Sequence, residues 1–306
     1  MKVLVVARYK ENGFAPFITE QVEALKEAGV VCRFFPVGSR GMAGYLRHIP
    51  ALRHAIREFK PDIVHAHYGL CGLFANLQRR VPVVTTFHGS DINESGVRRL
   101  SKVAIGLSRF NIFVSLRLLD KVAPVKNSAV IPCGINLDDY PMVEKEDARR
   151  QMGLKQEGKD VLFAGAFDNP VKNASLAQAS VSQLPGVQLL ELKGFSRVQV
   201  THLMQAVDVL LMTSLSEGSP QVIKEALVCG CPIVSVDVGD VKERIAGVKG
   251  CFIAKTHDPR ELAELTQKAM AFAGRTEGRK KLLADGLDNR QVAHKLTVLY
   301  KQLCPH

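Results

Sequence analysis

Short, continuously apolar runs alternate with stretches of helical period through two complete cycles, and this alternation confines the chain to a parallel α/β architecture. In the first cycle the runs occupy residues 2–7, 30–36, 63–66, 83–87, 111–114 and 129–132; in the second they occupy 160–165, 187–192, 207–213, 232–236 and 250–253. A strand that is apolar on both sides needs cover on both faces, and helices between successive strands provide it. Two doubly wound, Rossmann-like domains facing across a cleft are therefore expected, residues 1–140 and 141–288. The first strand-loop-helix unit runs through Glu11, Asn12 and Gly13, then shows helical period from Phe17 to Ala28 before Gly29 stops it. A charged linker near 138–158 carries Pro141 and a short helix at 147–152, and a last helix, about 289–306, is expected to pack back on the first domain.

Composition excludes several classes. The chain has 306 residues, 46% hydrophobic and 23% charged, which fits a soluble globular protein of about two domains. No run of about 18 apolar residues exists to span a bilayer, and the run 3–7, followed by Arg8, Lys10 and Glu11, is too short for a signal peptide. Seven cysteines with no C-x-x-C pair point to reduced thiols and a cytoplasmic protein; Cys229 and Cys231 lack nearby partners and read as buried small residues. No G-x-G-x-x-G follows the first strand and no G-x-x-x-x-G-K-[ST] occurs, which argues against a dinucleotide or P-loop site. Aromatic residues at 6% and the absence of tryptophan argue against nucleic acid as a partner.

Formal charge is +11, of which +8 falls within residues 1–145. Leu46, Ile49, Leu52, Ile56 and Phe59 recur at helical spacing between Arg40 and Lys60, with Arg47, His54 and Arg57 on another face and Pro50 as a break. Arg98, Arg99 and Lys102 form a second basic group. Such a stretch is a solvated face or, in the functional reading, Arg47, Arg53 and Arg57 meet an anionic membrane surface or lipid-linked substrate at the inner face of the cell membrane.

Residues 213–227 carry the most chemistry. They leave a strand, turn through Gly218 and start a helix, with Ser219 as the N-cap and Pro220 at the first helical position. Val222 supplies no capping acid, so the amides of Gln221, Val222 and Ile223 and the helix dipole favour a phosphate. Glu225 lies about 7.5 Å further along the axis, suited to the vicinal diol of a ribose rather than to the phosphate. Glu217, in the turn, faces a different part of the ligand, where its charge suits sugar hydroxyls or a positive transition state.

Glu217 and Glu225 at this spacing, with Gly218, Ser219 and Pro220 between them, resemble the E-x7-E motif of retaining glycosyltransferases of GT-B fold, particularly glycosyltransferase family 4. Residues 131–136 resemble its I-P-N-G-V-D segment, 161–165 the opening strand of its second domain, and 237–243 its G-G-x-x-E turn. These matches cover residues 130–250 in order and are closest to bacterial enzymes that build surface polysaccharides. The resemblance implies that Gly165, Lys172, Asn173, Gly218, Ser219, Pro220, Gln221, Val222 and Glu225 bind the donor. It also implies that Lys172 and the helix amides neutralise the leaving diphosphate without a metal or cofactor, and that Glu217 positions the sugar for front-face attack. The family's usual arginine is absent; Ala166 follows Gly165 instead.

In the first half, Gly13 occupies the family's glycine-rich turn near the donor phosphates. Residues 86–91 resemble its H-G segment, whose histidine, here His88, approaches the transferred sugar; Asp91 is a partner for His88 or for an acceptor hydroxyl. His65 and His67 share one strand face and lack a third ligand, so packing is expected and zinc is not. The function implied is retaining, metal-independent transfer of a hexose from a nucleotide sugar to a hydroxyl of a glycan or lipid-linked acceptor in cell-envelope polysaccharide synthesis. A nucleotide-sugar epimerase or phosphorolytic enzyme of this fold, and a non-catalytic sugar-nucleotide-binding scaffold, are the alternatives.

Overall fold

The computed structural model describes residues 1–9, 13–38, 44–45 and 47–304. Of the residues singled out above, Lys10, Glu11, Asn12, Arg40 and Leu46 lie outside them, as do 305 and 306 at the end of the last expected helix. The chain divides into two compact units, Met1–Ile135 with Leu287–His306, and Asn136–Gly286.

The first unit is built on six parallel strands: β1 (Lys2–Arg8), β2 (Val31–Val37), β3 (Ile63–His67), β4 (Val83–Phe87), β5 (Phe110–Phe113) and β6 (Ser128–Val130). They lie in the order β2-β1-β3-β4-β5-β6. Alternation along β1 sends Val3, Val5 and Ala7 into one apolar cluster and Leu4 and Val6 into the other. The first cluster is closed by Ile18, Val22 and Leu25 of helix Pro16–Glu27 and by Val292, Leu296, Leu299 and Tyr300 of helix Asn289–Leu303. The second is closed by Leu52 and Ile56 of helix Ile49–Phe59 and by Phe74. Pro50 sits in the first turn of that helix instead of breaking it, because no intrahelical partner awaits an N–H there. Arg47 precedes the helix and Arg53 and Arg57 lie on it, all exposed; Arg53 Nη2 donates to Leu77 O at 3.5 Å.

The second unit has five parallel strands: β7 (Lys159–Phe163), β8 (Val187–Glu191), β9 (Val209–Met212), β10 (Ile233–Val236) and β11 (Phe252–Ala254), in the order β11-β10-β9-β7-β8. Each sheet thus reverses direction once, between β1 and β3 and between β7 and β9. Ligands of open parallel sheets bind outside the carboxyl ends of the strands at such a reversal.

The units are delimited by specific bonds. Ile135 N donates to Leu287 O at 2.9 Å and Asn289 N to Ile135 O at 3.0 Å. A Cβ on Gly134 would stand 2.4 Å from Asn289 Oδ1 and 3.0 Å from Asn289 Cα, so a side chain here would crowd the start of the last helix. Residues 136–140 group with the second unit, not the first, because Arg279 Nη2 donates to Leu137 O at 2.6 Å and Nη1 to Tyr140 O at 3.4 Å. The linker helix is Lys145–Gln151, and its Arg149 is 2% exposed at the side chain, bonded to Asp160 Oδ2 at 2.6 Å.

Candidate functional site

In the second unit the loops after β7 and β9 are laced together at the strand reversal. Asn169 caps the single turn Pro170–Lys172 by accepting Val171 N at 3.1 Å. Leu215 N donates to Val171 O at 2.9 Å, and the Thr213 hydroxyl to the carbonyls of Lys172 (3.0 Å) and Asn173 (2.9 Å). Asn173 is left-handed, with φ 54°, and occupies the N-cap position of helix Ala174–Val181 without a side-chain capping bond. These ties bring Lys172 Nζ to 2.7 Å from Glu217 Oε1, both side chains mostly sheltered at 21% and 16% exposure. Gly165 makes room for the lysine stem, since a Cβ there would meet Lys172 Cγ at 2.7 Å. Lys172 and Glu217, expected to face different parts of one ligand, are therefore direct partners.

Helix Gln221–Val228 starts one residue later than expected. Pro220, in extended conformation, is its N-cap, and the Ser219 hydroxyl donates instead to Asp240 Oδ2 at 2.8 Å. The charge-assisted bond fixes the Ser219 side chain on Asp240, and no side chain caps the helix. Of the three amides expected to meet a phosphate, that of Ile223 bonds Pro220 O at 3.3 Å. Gly218 and Gly239 are pressed together: Gly239 has φ +58°, and a Cβ on it would stand 2.8 Å from Gly218 O.

Beneath this turn lies a charged cluster that the sequence did not reveal. Lys224 has no exposed surface and its Nζ donates to Gln221 Oε1 at 2.7 Å. Arg244 Nε is 3.2 Å from Asp240 Oδ2. Burial pushes the Asp240 carboxyl above its ordinary value, against the pull of Lys224 and Arg244. Tyr140 and Arg197 were also missed: the Tyr140 hydroxyl donates to Glu225 Oε1 at 3.4 Å, and Arg197 Nη2 to that hydroxyl at 3.3 Å. Pairing across 85 residues leaves no local signal for the contact to Glu225.

In the first unit a cavity of about 1220 Å³ opens at the reversal between β1 and β3, lined in part by Arg8, Gly13, Tyr45, Tyr68 and Asp91. Gly13 has φ 95°, and Tyr68 has φ 73° with ψ 147°, backbone that glycine ordinarily occupies. Asp91 is 3% exposed, and its carboxylate accepts the amides of Gly89 (2.9 Å), His88 (3.1 Å) and Gly69 (3.1 Å). It fastens the turn after β4 through the backbone amides of His88 and Gly89, and burial pushes its carboxyl up.

His88 is half-buried, its Nε2 3.0 Å from His67 Nδ1 and its Nδ1 3.7 Å from Cys133 Sγ. His65 bonds Tyr300 Oη at 2.6 Å through Nδ1 and Thr86 Oγ1 at 2.7 Å through Nε2. Among the described residues no group of three or more His, Cys, Asp or Glu side chains gathers as a metal would require.

Burial pulls His65 from 6.5 to about 3, and His67 well below its ordinary value. A histidine whose value is lower when folded takes up its proton on unfolding, so its share of stability rises with pH between those values and is lost as pH falls through the window. Two such groups give a slope of about 2.7 kcal/mol per pH unit where both bind only in the unfolded chain. Urea midpoints at pH 7 and pH 5 should therefore differ markedly, with less stability at pH 5; equal midpoints would refute neutral burial as a determinant of the first unit's stability.

Residues 5–139 match the family model described as Glycosyltransferase Family 4, and residues 151–271 the one described as Glycosyl transferases group 1. The chain is 27% identical to the putative teichuronic acid biosynthesis glycosyltransferase TuaC of Bacillus subtilis, covering 68% of this chain and 61% of that protein. It is 25% identical to the D-inositol 3-phosphate glycosyltransferase of Mycobacterium marinum, covering 63% and 52%. The match thus spans between half and two thirds of these relatives' length. Among solved structures it is similar to sucrose-phosphate synthase from Thermosynechococcus elongatus (TM-score 0.82, 16% identity, 99% of each chain) and to Anabaena Alr3699/HepE in complex with UDP and glucose (TM-score 0.73, 17% identity, 99% and 100%). These likenesses show the fold, which is GT-B. No described helix is long and apolar enough to cross a membrane.

Proposed function

Because this chain belongs to the glycosyltransferases, family 4 in its first unit and group 1 in its second, we propose that it transfers a hexose, with retention, from a nucleotide-diphosphate sugar to a hydroxyl of a glycan or lipid-linked acceptor, without a divalent metal. The observation that carries this reading is the Lys172–Glu217 pair at the β7/β9 reversal. A departing diphosphate gains negative charge, and a preorganised cation beside a helix N-terminus offsets it. When the diphosphate takes Lys172, the Glu217 carboxylate is released toward the hydroxyls of the sugar. The bond from the anomeric carbon to phosphate oxygen breaks, the bond to the acceptor oxygen forms on the same face, and the acceptor proton passes to the leaving phosphate. Glu217 forms no bond to carbon in this scheme. Glu225, oriented by Tyr140, accepts the ribose diol.

The neighbour in complex with UDP and glucose makes a uridine diphosphate sugar the first donor to try, and the teichuronic acid relative makes a cell-envelope polysaccharide the first acceptor class. Exposed Arg53 and Arg57 suit an anionic surface presenting a lipid-linked acceptor at the cytoplasmic face.

Calorimetric titration with UDP, GDP and ADP sugars in the presence of a chelator tests the reading. One nucleotide class should bind, and Glu225→Ala should weaken it by about 10- to 100-fold, the loss of hydrogen bonds to a charged group. Binding with no release of nucleotide supports the scaffold alternative, and conversion of the sugar nucleotide without an acceptor supports the epimerase; either overturns transfer as the function, and no binding of any class overturns the nucleotide site itself.

A further inference from the structure

Two buried histidines of the first unit are made differently, and the difference bears on His88. His65 is satisfied at both nitrogens, by Tyr300 and Thr86. His67, with no exposed surface, lies against His65 with ring centroids 4.5 Å apart and interplanar angle 28°. Its Nδ1 is 3.0 Å from His88 Nε2, whereas its own Nε2 is buried with no hydrogen-bond partner among the described residues.

A neutral imidazole carries one N–H and one lone pair, so a single proton lies between His67 Nδ1 and His88 Nε2. Were that proton His88's, the His67 proton would sit on Nε2, a buried N–H without a protein acceptor among the described residues. If it is His67's, the unpartnered atom is only a lone pair. Orphaned N–H groups are the rarer of the two in folded proteins. The His88 ring also packs against the rings of Phe17 (centroids 4.9 Å apart) and Tyr68 (4.6 Å), which opposes a ring flip that would exchange its nitrogens.

We propose that His67 is a positioning residue: its Nδ1–H donates to His88 Nε2 and confines His88 to the neutral tautomer protonated at Nδ1, the nitrogen facing Cys133. His88 then offers one donor in one fixed direction and has no free acceptor nitrogen. Its bearing on sugar transfer rests on the function proposed above; the tautomer itself does not.

Nitrogen-15 labelling of the nine histidines, with His88 assigned by its loss in His88→Gln, reads the tautomer without any donor. Wild-type His88 should show a protonated Nδ1 and a bare Nε2. His67→Leu should release His88 toward the Nε2-protonated form, and His67→Asn, whose amide nitrogen replaces Nδ1, should keep the wild-type signature. With UDP-glucose as probe, His67→Leu should lower kcat for UDP release about tenfold with KM unchanged, and His67→Asn should restore it. Protonation of His88 at Nε2 in the wild type, or an unchanged His88 signature in a folded His67→Leu, overturns the proposal; if His67→Leu does not fold, the wild-type and His67→Asn spectra still decide. A wild type that ignores UDP-glucose removes that sugar nucleotide as the donor and leaves the tautomer test intact.

Discussion

Glu217→Gln is expected to lower sugar transfer by about 10²- to 10³-fold while leaving the affinity for the nucleoside diphosphate equal or tighter. The asymmetry follows from the ion pair. Glu217 now occupies Lys172 at 2.7 Å, so a neutral amide removes a competitor of the phosphate at the same time as it removes the charge offered to the sugar. Lys172→Met should do the reverse, weakening the nucleotide by about 10- to 100-fold. Calorimetry and single-turnover kinetics on the two variants separate the roles. If Glu217→Gln abolished nucleotide binding and Lys172→Met left it intact, the assignment of both residues would be inverted.

Arg149→Met should destabilise the second unit by about 3–5 kcal/mol, a large share of the roughly 5–15 kcal/mol that holds a domain folded. All the guanidinium nitrogens are engaged: Nε with Lys155 O at 2.8 Å, Nη1 with Ala206 O at 2.8 Å, and Nη2 with Gly158 O at 3.0 Å and Asp160 Oδ2 at 2.6 Å, in addition to Lys155 O. Truncation strands the Asp160 carboxylate at 5% exposure together with three carbonyls. Urea unfolding measures the loss, and Asp160→Asn in the Arg149→Met background should recover part of it by removing the stranded charge. A cost below about 1 kcal/mol, the level of a surface pair, would mean that water reaches this site.

How legible these features were depended on how local their causes are. Residues 83–87 predict β4, which spans Val83–Phe87, because a run of Val, Thr and Phe buried on both faces defines its own ends. At β11 the expectation of 250–253 gives way to Phe252–Ala254, since Gly250 takes φ 84° and remains in the turn. The spacing of Glu217 and Glu225 is a property of one loop and one helix and is visible in the sequence. Their partners are not: Lys172 is 45 residues from Glu217 and Tyr140 is 85 from Glu225. Ser219 has the chemistry of an N-cap, but a carboxylate 21 residues away claims its hydroxyl. Arg149 stands in Lys145–Gln151, a helix with hardly an apolar residue, so nothing local distinguishes the arginine that goes inside from Arg150 beside it, whose side chain is 74% exposed.

Helix Asn289–Leu303 belongs to the first unit although the whole second unit precedes it in the chain. On the ribosome this ordering has a cost. Val3, Val5, Ile18, Val22 and Leu25 emerge early but lack the cover of Val292, Leu296, Leu299 and Tyr300 until residues 292–300 are made. At about 5–20 residues per second, that interval lasts roughly 15–60 seconds, during which the unit made first is the one still incomplete. His65 likewise waits, without its tyrosine, for a residue 235 positions downstream. The unit begun second can therefore finish first, and the apolar face left open in the nascent chain is where a chaperone would be needed.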